Sequence, residues 1–379
     1  MSILLGIELA DRAARLVVID RQAKVIARRE EPLSVPVDEW WAVHPEERAR
    51  ATLGLLSGAV ADGVFRPAQV AAIGITAEPA LALLDADLAP IPPRDLPWED
   101  LDPAAYRGRP WGAIHALFGA SPRAMARIGL ILDLVGFLRF RLTGAVGSQV
   151  DFAWRSGHVV GPRAAASWDA ASLESAGILP SHVPPIFPAP QRVSVVGEST
   201  IEKTGLRRGT WVAAGGEPRN TRLLFAAEPA VGRSVILLGE ETGEIYEGIE
   251  TPDAWDAEIV PTALEGVFFR RVGEIPRAEV LAGGGPEDAV IDVVAGGDAT
   301  FEGADDDLRI AADAGEASCG TAIAAGLGLG WWRDPRPIWR KRRPPERLGD
   351  RRARALETSA ESLHPAADPT EEESEAPDV

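Results

Sequence analysis

Glu8, Glu78, Asp100 and Glu217 carry carboxylates that could do chemistry, and Asp100 stands two residues after Trp98. Carboxylates accept hydrogen bonds from alcohols, hold a divalent cation through water, or take a proton from a hydroxyl. Glycines supply the complementary part. Gly239 and Gly243 bracket a loop that follows Val235-Ile236-Leu237-Leu238, and Gly283, Gly284 and Gly285 follow Leu281-Ala282. Turns of this kind let backbone amides come close to a phosphate. Other residues work against an anion. Ala10 adds a Cβ and Asp11 a carboxylate at the turn of the first hairpin, and Glu240 and Glu241 add two more in the second loop. Two like charges about 4 Å apart repel by roughly 1 kcal/mol in water and by more in a drier cleft. The competing reading of Glu8, Asp11, Arg12 and Glu78 is that of solvated hairpin and strand-end residues.

Elements must hold these residues. Residues 2–9 and 14–19 read as an antiparallel hairpin, and residues 24–28 begin a third strand of the same meander. Pro45, followed by Glu46 and Glu47 and then by Leu53, Leu56 and Val60 at helical spacing, predicts a helix packed on a sheet. Residues 70–76 read as a buried parallel strand and residues 81–85 as the next, with a turn at Ala86-Asp87. A long helix is predicted from Ser121, with Pro122 at its first position, Ile128, Leu132, Val135 and Leu138 on one face, and Gly144 just past its end. Asp169 and Gly177 mark the start and stop of a shorter helix. The glycine and alanine run at residues 320–326 reads as helix packing.

The chain has 379 residues, enough for two domains with their own cores, and 46% hydrophobic with 25% charged residues is a soluble globular composition. A net charge of −18 argues against nucleic acid as the main partner. Cys319 alone forms no internal disulfide, and five scattered histidines give no ligand spacing for a dedicated metal site. No apolar run reaches membrane-spanning length, and no signal peptide is evident, so the expected location is the cytoplasm.

Several segments carry a resemblance to the FGGY carbohydrate kinases, most similar to xylulokinases. Gly6, Ile7, Leu9, Arg15 and Asp20 match the family's first phosphate hairpin. Residues 138–144, Leu-Arg-Phe-Arg-Leu-Thr-Gly, match the family segment Leu-Arg-Tyr-Arg-Leu-Thr-Gly, the most specific match in the chain. Asp151-Phe152-Ala153, Leu179-Pro180, Val196-Gly197-Glu198 and Thr204-Gly205-Leu206 follow in family order. The resemblance implies an α/β actin-like ATPase fold of two ribonuclease-H-like domains, the second one truncated. It divides the chain into residues 1–230, residues 231–335 and a disordered charged tail at 336–379.

The resemblance also assigns roles. Glu8 would stand at a magnesium position. Ala10, Gly239, Gly243, Gly283, Gly284 and Gly285 would line the nucleotide, with Mg-ATP as the cofactor if the protein turns over and none otherwise. Glu78, Trp98 and Asp100 would meet a sugar or polyol. The family's catalytic Asp falls on Pro218, which cannot accept a proton, and Glu217 lies one residue early as a doubtful substitute base, more a turn residue. The sequence therefore predicts a kinase-like protein with impaired catalysis that binds a sugar, a nucleotide or a partner, the last through its tail. An active sugar or polyol kinase is the alternative, and an assembly protein on an actin-like fold the second alternative. Neither nucleic acid nor membrane is an expected partner.

Overall fold

The computed structural model describes residues 1–10, 13–33, 44–92, 95–96, 110–120, 126–161, 166–226, 231–232, 234–238, 242–250, 259–261, 267–276, 290–293, 317–332 and 338. Along the chain run β1 (Ile3–Leu9), β2 (Ala13–Ile19), β3 (Val25–Pro32), α1 (Pro45–Ala61), β4 (Val70–Ala77), β5 (Leu81–Leu84), α2 (Pro110–Ala120), β6 (Leu130–Asp133) and α3 (Leu134–Thr143). Then follow β7 (Ser148–Gln149), α4 (Val150–Arg155), β8 (Val159–Val160), β9 (Ser167–Trp168), α5 (Ala170–Ser175), β10 (Ile186–Phe187), β11 (Arg192–Val195), α6 (Glu198–Thr204), β12 (Trp211–Ala213) and α7 (Pro218–Ala226). The last elements are β13 (Ser234–Leu238), β14 (Thr242–Glu250), β15 (Ile259–Pro261), β16 (Val267–Pro276), β17 (Val290–Val293) and α8 (Ala317–Gly328).

Two mixed sheets organise these elements, one six-stranded in the order β11-β12-β4-β1-β2-β3 and one five-stranded in the order β15-β16-β14-β13-β17. Every residue of β1 is buried, so both faces of the strand are covered. The alternation of side chains along a strand sends Ile3, Leu5, Ile7 and Leu9 to one core with Leu55 and Leu56 of α1, and Leu4 to another with Cys319, Ala322 and Ile323 of α8. Gly6 and Glu8 share the parity of Leu4 and so face the α8 side. Gly6 pairs in register with Gly74 of β4. A Cβ at Gly6 would lie 1.7 Å from the Ser318 carbonyl oxygen, and one at Gly74 2.0 Å from that of Thr321. The two glycines thus form a floor on which the α8 backbone rests. Beyond that floor, Glu8 and Thr76 are the next paired residues on the same face.

The first hairpin, the α1 start and the parallel pairing of β4 with β1 agree with the sequence reading. Two expectations need correction. The helix expected from Ser121 starts at Leu134, capped by Asp133, whose side chain accepts from the Gly136 amide; Gly144 ends it in the left-handed conformation as expected. Residues 121–125 lie outside the described residues. The run Leu130-Ile131-Leu132 forms β6 instead, pairing antiparallel with β5, because a short apolar run fits a buried strand and a buried helix equally well. For the same reason β5 does not continue the main sheet as the next strand; it belongs to this separate pair. Ile338, placed in the expected tail, is 3% exposed and packs in the core with Cys319 and Ile323. The charged runs beyond it lie outside the described residues.

Candidate functional site

The C-terminal ends of β1, β4 and β12 meet the start of α7, and Glu8, Thr76, Glu217, Asn220 and Thr221 are buried polar residues there. Residues 214–217 lead from β12 into α7, whose first residue is Pro218, a position where a missing amide hydrogen leaves nothing unpaired. Thr76 donates its hydroxyl to the Gly216 carbonyl at 2.8 Å, and Thr221 donates to the Pro218 carbonyl at 3.0 Å. Arg139 of α3, wholly buried, donates to the carbonyls of Ala214 and Gly147 and so fixes the loop from behind. Burial lowers the Arg139 guanidinium to about 10, opposed by the charge of Asp133.

Glu217 is 2% exposed. A turn carboxylate would ordinarily be solvated; this one is held by Arg155 of α4, whose guanidinium reaches its Oε2 at 2.5 Å, while the Glu217 amide donates to Asp151 at 3.4 Å. Its other oxygen, Oε1, is buried with no hydrogen-bond partner. Burial pushes the Glu217 carboxyl above the usual carboxylate range; Arg155 pulls it back and Asp151 adds to the rise.

Glu8, 1% exposed, is ion-paired as well. Arg222, one helical turn after Pro218 in α7, reaches Oε1 at 3.2 Å, and Arg15, directly opposite on β2, lies 3.9 Å away. Oε2 of Glu8 is buried without a partner. Each of the two cleft carboxylates thus has one oxygen bound to arginine and one left over. Among the described residues, no three His, Cys, Asp or Glu side chains gather as a metal-ligand set.

Asp133 completes the buried group. Burial pushes its carboxyl up to about 6, against the pull of Arg139 and the Gly136 amide. Between the ordinary aspartate value of 3.8 and about 6 the folded chain therefore binds more protons than the unfolded one, and stability falls as pH rises through that window. The full effect is about 3 kcal/mol, since one pKa unit corresponds to about 1.4 kcal/mol. Asp133→Asn keeps an acceptor for the Gly136 amide, so urea midpoints measured from pH 4 to 7 should lose that downward slope; an unchanged slope would remove Asp133 as its source.

On the other side of α7, Arg219 approaches Glu244 of β14 at 4.0 Å. Glu244 also accepts from the Tyr246 hydroxyl at 2.8 Å and lies 3.1 Å from Arg271 of β16. This polar cluster ties the second sheet to the helix that carries the cleft residues. The Tyr246 side chain is fully buried, and that burial raises its phenol well above the ordinary value.

Of the residues singled out in the sequence, the structure brings Glu8 and Glu217 to the two ends of this cluster. Ala10 is half-buried and donates its amide to Ala13 at 3.0 Å, closing the first hairpin. Glu78 is exposed, with its amide 3.4 Å from the Leu9 carbonyl, so it sits at the rim beside the end of β1. Gly243 lies in β14, paired with Leu238. Asp11, Trp98, Asp100, Gly239, Gly283, Gly284 and Gly285 lie outside the described residues. Arg155, Arg222, Asp133 and Thr221 were not anticipated. Arg222 stands 214 residues from Glu8, and no local signal in the sequence joins them.

The two mixed sheets and their flanking helices form an α/β fold of the actin-like ATPase kind. The solved structures that this chain resembles say the same. A ligand-bound xylulose kinase from Lactobacillus acidophilus superposes with a TM-score of 0.67 at 11% identity, covering 96% of this chain and 98% of that one. A xylulose kinase from Brucella ovis gives 0.66 at 15% identity, covering 96% and 100%. Plasmodium falciparum glycerol kinase with ADP gives 0.54 at 13%, and there the match spans 73% of this chain and 62% of the kinase. No family model and no curated protein matches the sequence. At these identities the likeness is one of fold.

Proposed function

We propose that the chain is a divergent FGGY-type carbohydrate kinase homologue that binds a small sugar or polyol in the cleft and has lost efficient phosphotransfer. The observation that carries this reading is the state of Glu217: the residue at the family's base position is Pro218, and the carboxylate next to it in sequence is buried against Arg155 at 2.5 Å. Burial raises the affinity of this carboxyl for a proton, but Arg155 occupies Oε2 and the carboxylate lies one residue before the base position, so an acceptor hydroxyl there meets proline instead of a base.

The magnesium position supports the same reading. Of the two oxygens of Glu8, Oε1 is engaged by Arg222 and faces Arg15, which leaves one oxygen and two positive charges nearby. That arrangement does not fit a hydrated magnesium ion, which needs excess negative charge at its carboxylates. Ala10 and the carboxylates of the two loops argue in the same direction against a triphosphate.

The carbohydrate part rests on the two leftover oxygens, Glu8 Oε2 and Glu217 Oε1, which are buried acceptors without donors. Buried acceptors gain from a donor, and polyol hydroxyls supply several at once. Isothermal titration of the full chain with a panel of pentoses, hexoses and linear polyols should give heat with at least one of them, unchanged by added magnesium. A panel with no heat at millimolar ligand would remove the carbohydrate reading; binding that required magnesium would contradict the treatment of Glu8.

A further inference from the structure

A second polar cluster shares no residue with the site around Glu8 and Glu217. His115 of α2 and His158, just before β8, face each other with Nε2 atoms 2.8 Å apart, and the Nδ1 of His158 lies 2.7 Å from the hydroxyl of Ser172 in α5. Each nitrogen of His158 is thus engaged, one by an imidazole and one by a hydroxyl. Two proton arrangements satisfy both contacts. In one, Ser172 donates to Nδ1 and the Nε2–H of His158 donates to His115; in the other, both hydrogen bonds run in the opposite sense. The first is the order of a nucleophile, a base and an orienting group.

The surroundings favour such a relay. Burial lowers both imidazoles below their ordinary value, and for His158 the neighbouring His115 adds to this while Asp169 opposes it. Both rings are then uncharged at neutral pH, so His158 has a lone pair to offer. Ser172 is held in place by its own amide, which donates to the Asp169 cap at 3.3 Å, and it remains partly exposed. Trp111 packs against both imidazoles, with ring centres 6.3 Å from His115 and 6.2 Å from His158, and Trp168 packs on Trp111 at 5.6 Å. The buried Trp111 thus holds both imidazoles in place.

We propose that Ser172 is an activated nucleophile, with His158 as its base and His115 as a positioning residue, reactive toward carboxylic esters and phosphonyl fluorides. In the ester reaction the Ser172 oxygen bonds to the carbonyl carbon as its proton passes to Nδ1 of His158. The bond from that carbon to the alkoxy oxygen breaks, and the leaving alcohol takes the proton from His158. Water then repeats the sequence on the acyl group, releasing the carboxylic acid and restoring the serine.

The test labels the full chain with an alkyl fluorophosphonate and maps the adduct by peptide mass. Ser175, exposed on the same helix with its hydroxyl donating to the Ser172 carbonyl, is the internal control. Ser172 should be modified at least about 100-fold faster than Ser175, the smaller end of what a positioned base contributes, and Ser172→Ala should abolish the adduct. His115→Gln should slow labelling and move its pH midpoint up toward the ordinary imidazole value while the variant melts with the parent, since loosened packing would also raise the midpoint by exposing His158. Equal modification of Ser172 and Ser175, or none at Ser172, overturns the proposal even if a histidine variant fails to fold. Labelling with an unmoved midpoint in His115→Gln removes His115 from the relay.

Discussion

Gly320→Ala is expected to prevent stable folding, whereas Gly54→Ala is expected to stabilise. A Cβ at Gly320 would lie 1.6 Å from the Thr221 carbonyl oxygen, where α8 crosses α7 backbone to backbone. Neither helix can retreat. α8 already rests on Gly6 and Gly74, and α7 is tied to the loop and strand ends through Thr221 and Thr76. Overpacking a core ordinarily costs about 1–3 kcal/mol, and more when backbone must move. A loss above about 3 kcal/mol is a large part of a domain's net stability, so the variant should be insoluble or melt far below the parent. Gly54, on the exposed side of α1 with nothing within 4 Å of a Cβ, is the contrasting site. There alanine should add about 0.5–1 kcal/mol through helix propensity alone. Thermal melts of the two variants check the pair; equal behaviour would mean that α8 does not cross α7 in backbone contact at Gly320.

Arg139→Met is the second large effect expected. Methionine keeps most of the buried volume but leaves the carbonyls of Ala214 and Gly147 without their donor, at about 1–3 kcal/mol for each unsatisfied group. Part of this is offset, because a buried cation and its partnerless Nε are removed as well. The net expectation is a loss of about 2–4 kcal/mol in urea unfolding. Arg139→Lys should fall between, since an ammonium lacks the fork that reaches two carbonyls together. A Met variant as stable as the parent would mean that the loop carrying Glu217 is not anchored through α3.

The first hairpin, the helix after Pro45, the parallel strand at residues 70–76 and the cap at Gly144 were legible because each has a local cause: alternation, a proline at a helix start, an unbroken apolar run, a left-handed glycine. The strand at Leu130–Asp133 was not, since its apolar run has no periodicity to separate strand from helix, and its partner β5 lies far away in sequence.

The candidate site was half legible. Glu8 and Glu217 could be named from the resemblance to the family motifs, and Pro218 as unfit to be a base. Their electrostatic state could not be. Whether a carboxylate is solvated or buried against a guanidinium depends on Arg222 and Arg155, which reach it only after the sheet and helices have assembled. Ile338 gave no such signal for a similar reason: one apolar residue among charges, it packs into a core formed by a distant helix.

Most direct for the loss of phosphotransfer is a coupled assay of ADP release from Mg-ATP, run with purified protein over pentoses, hexoses and polyols. Release should stay at the level without carbohydrate for every member of the panel, because Glu217 is held by Arg155 and Glu8 by Arg222. Carbohydrate-dependent ADP release that disappears in Glu217→Gln would contradict this, and would mean that the Arg155 pair opens to free a working base.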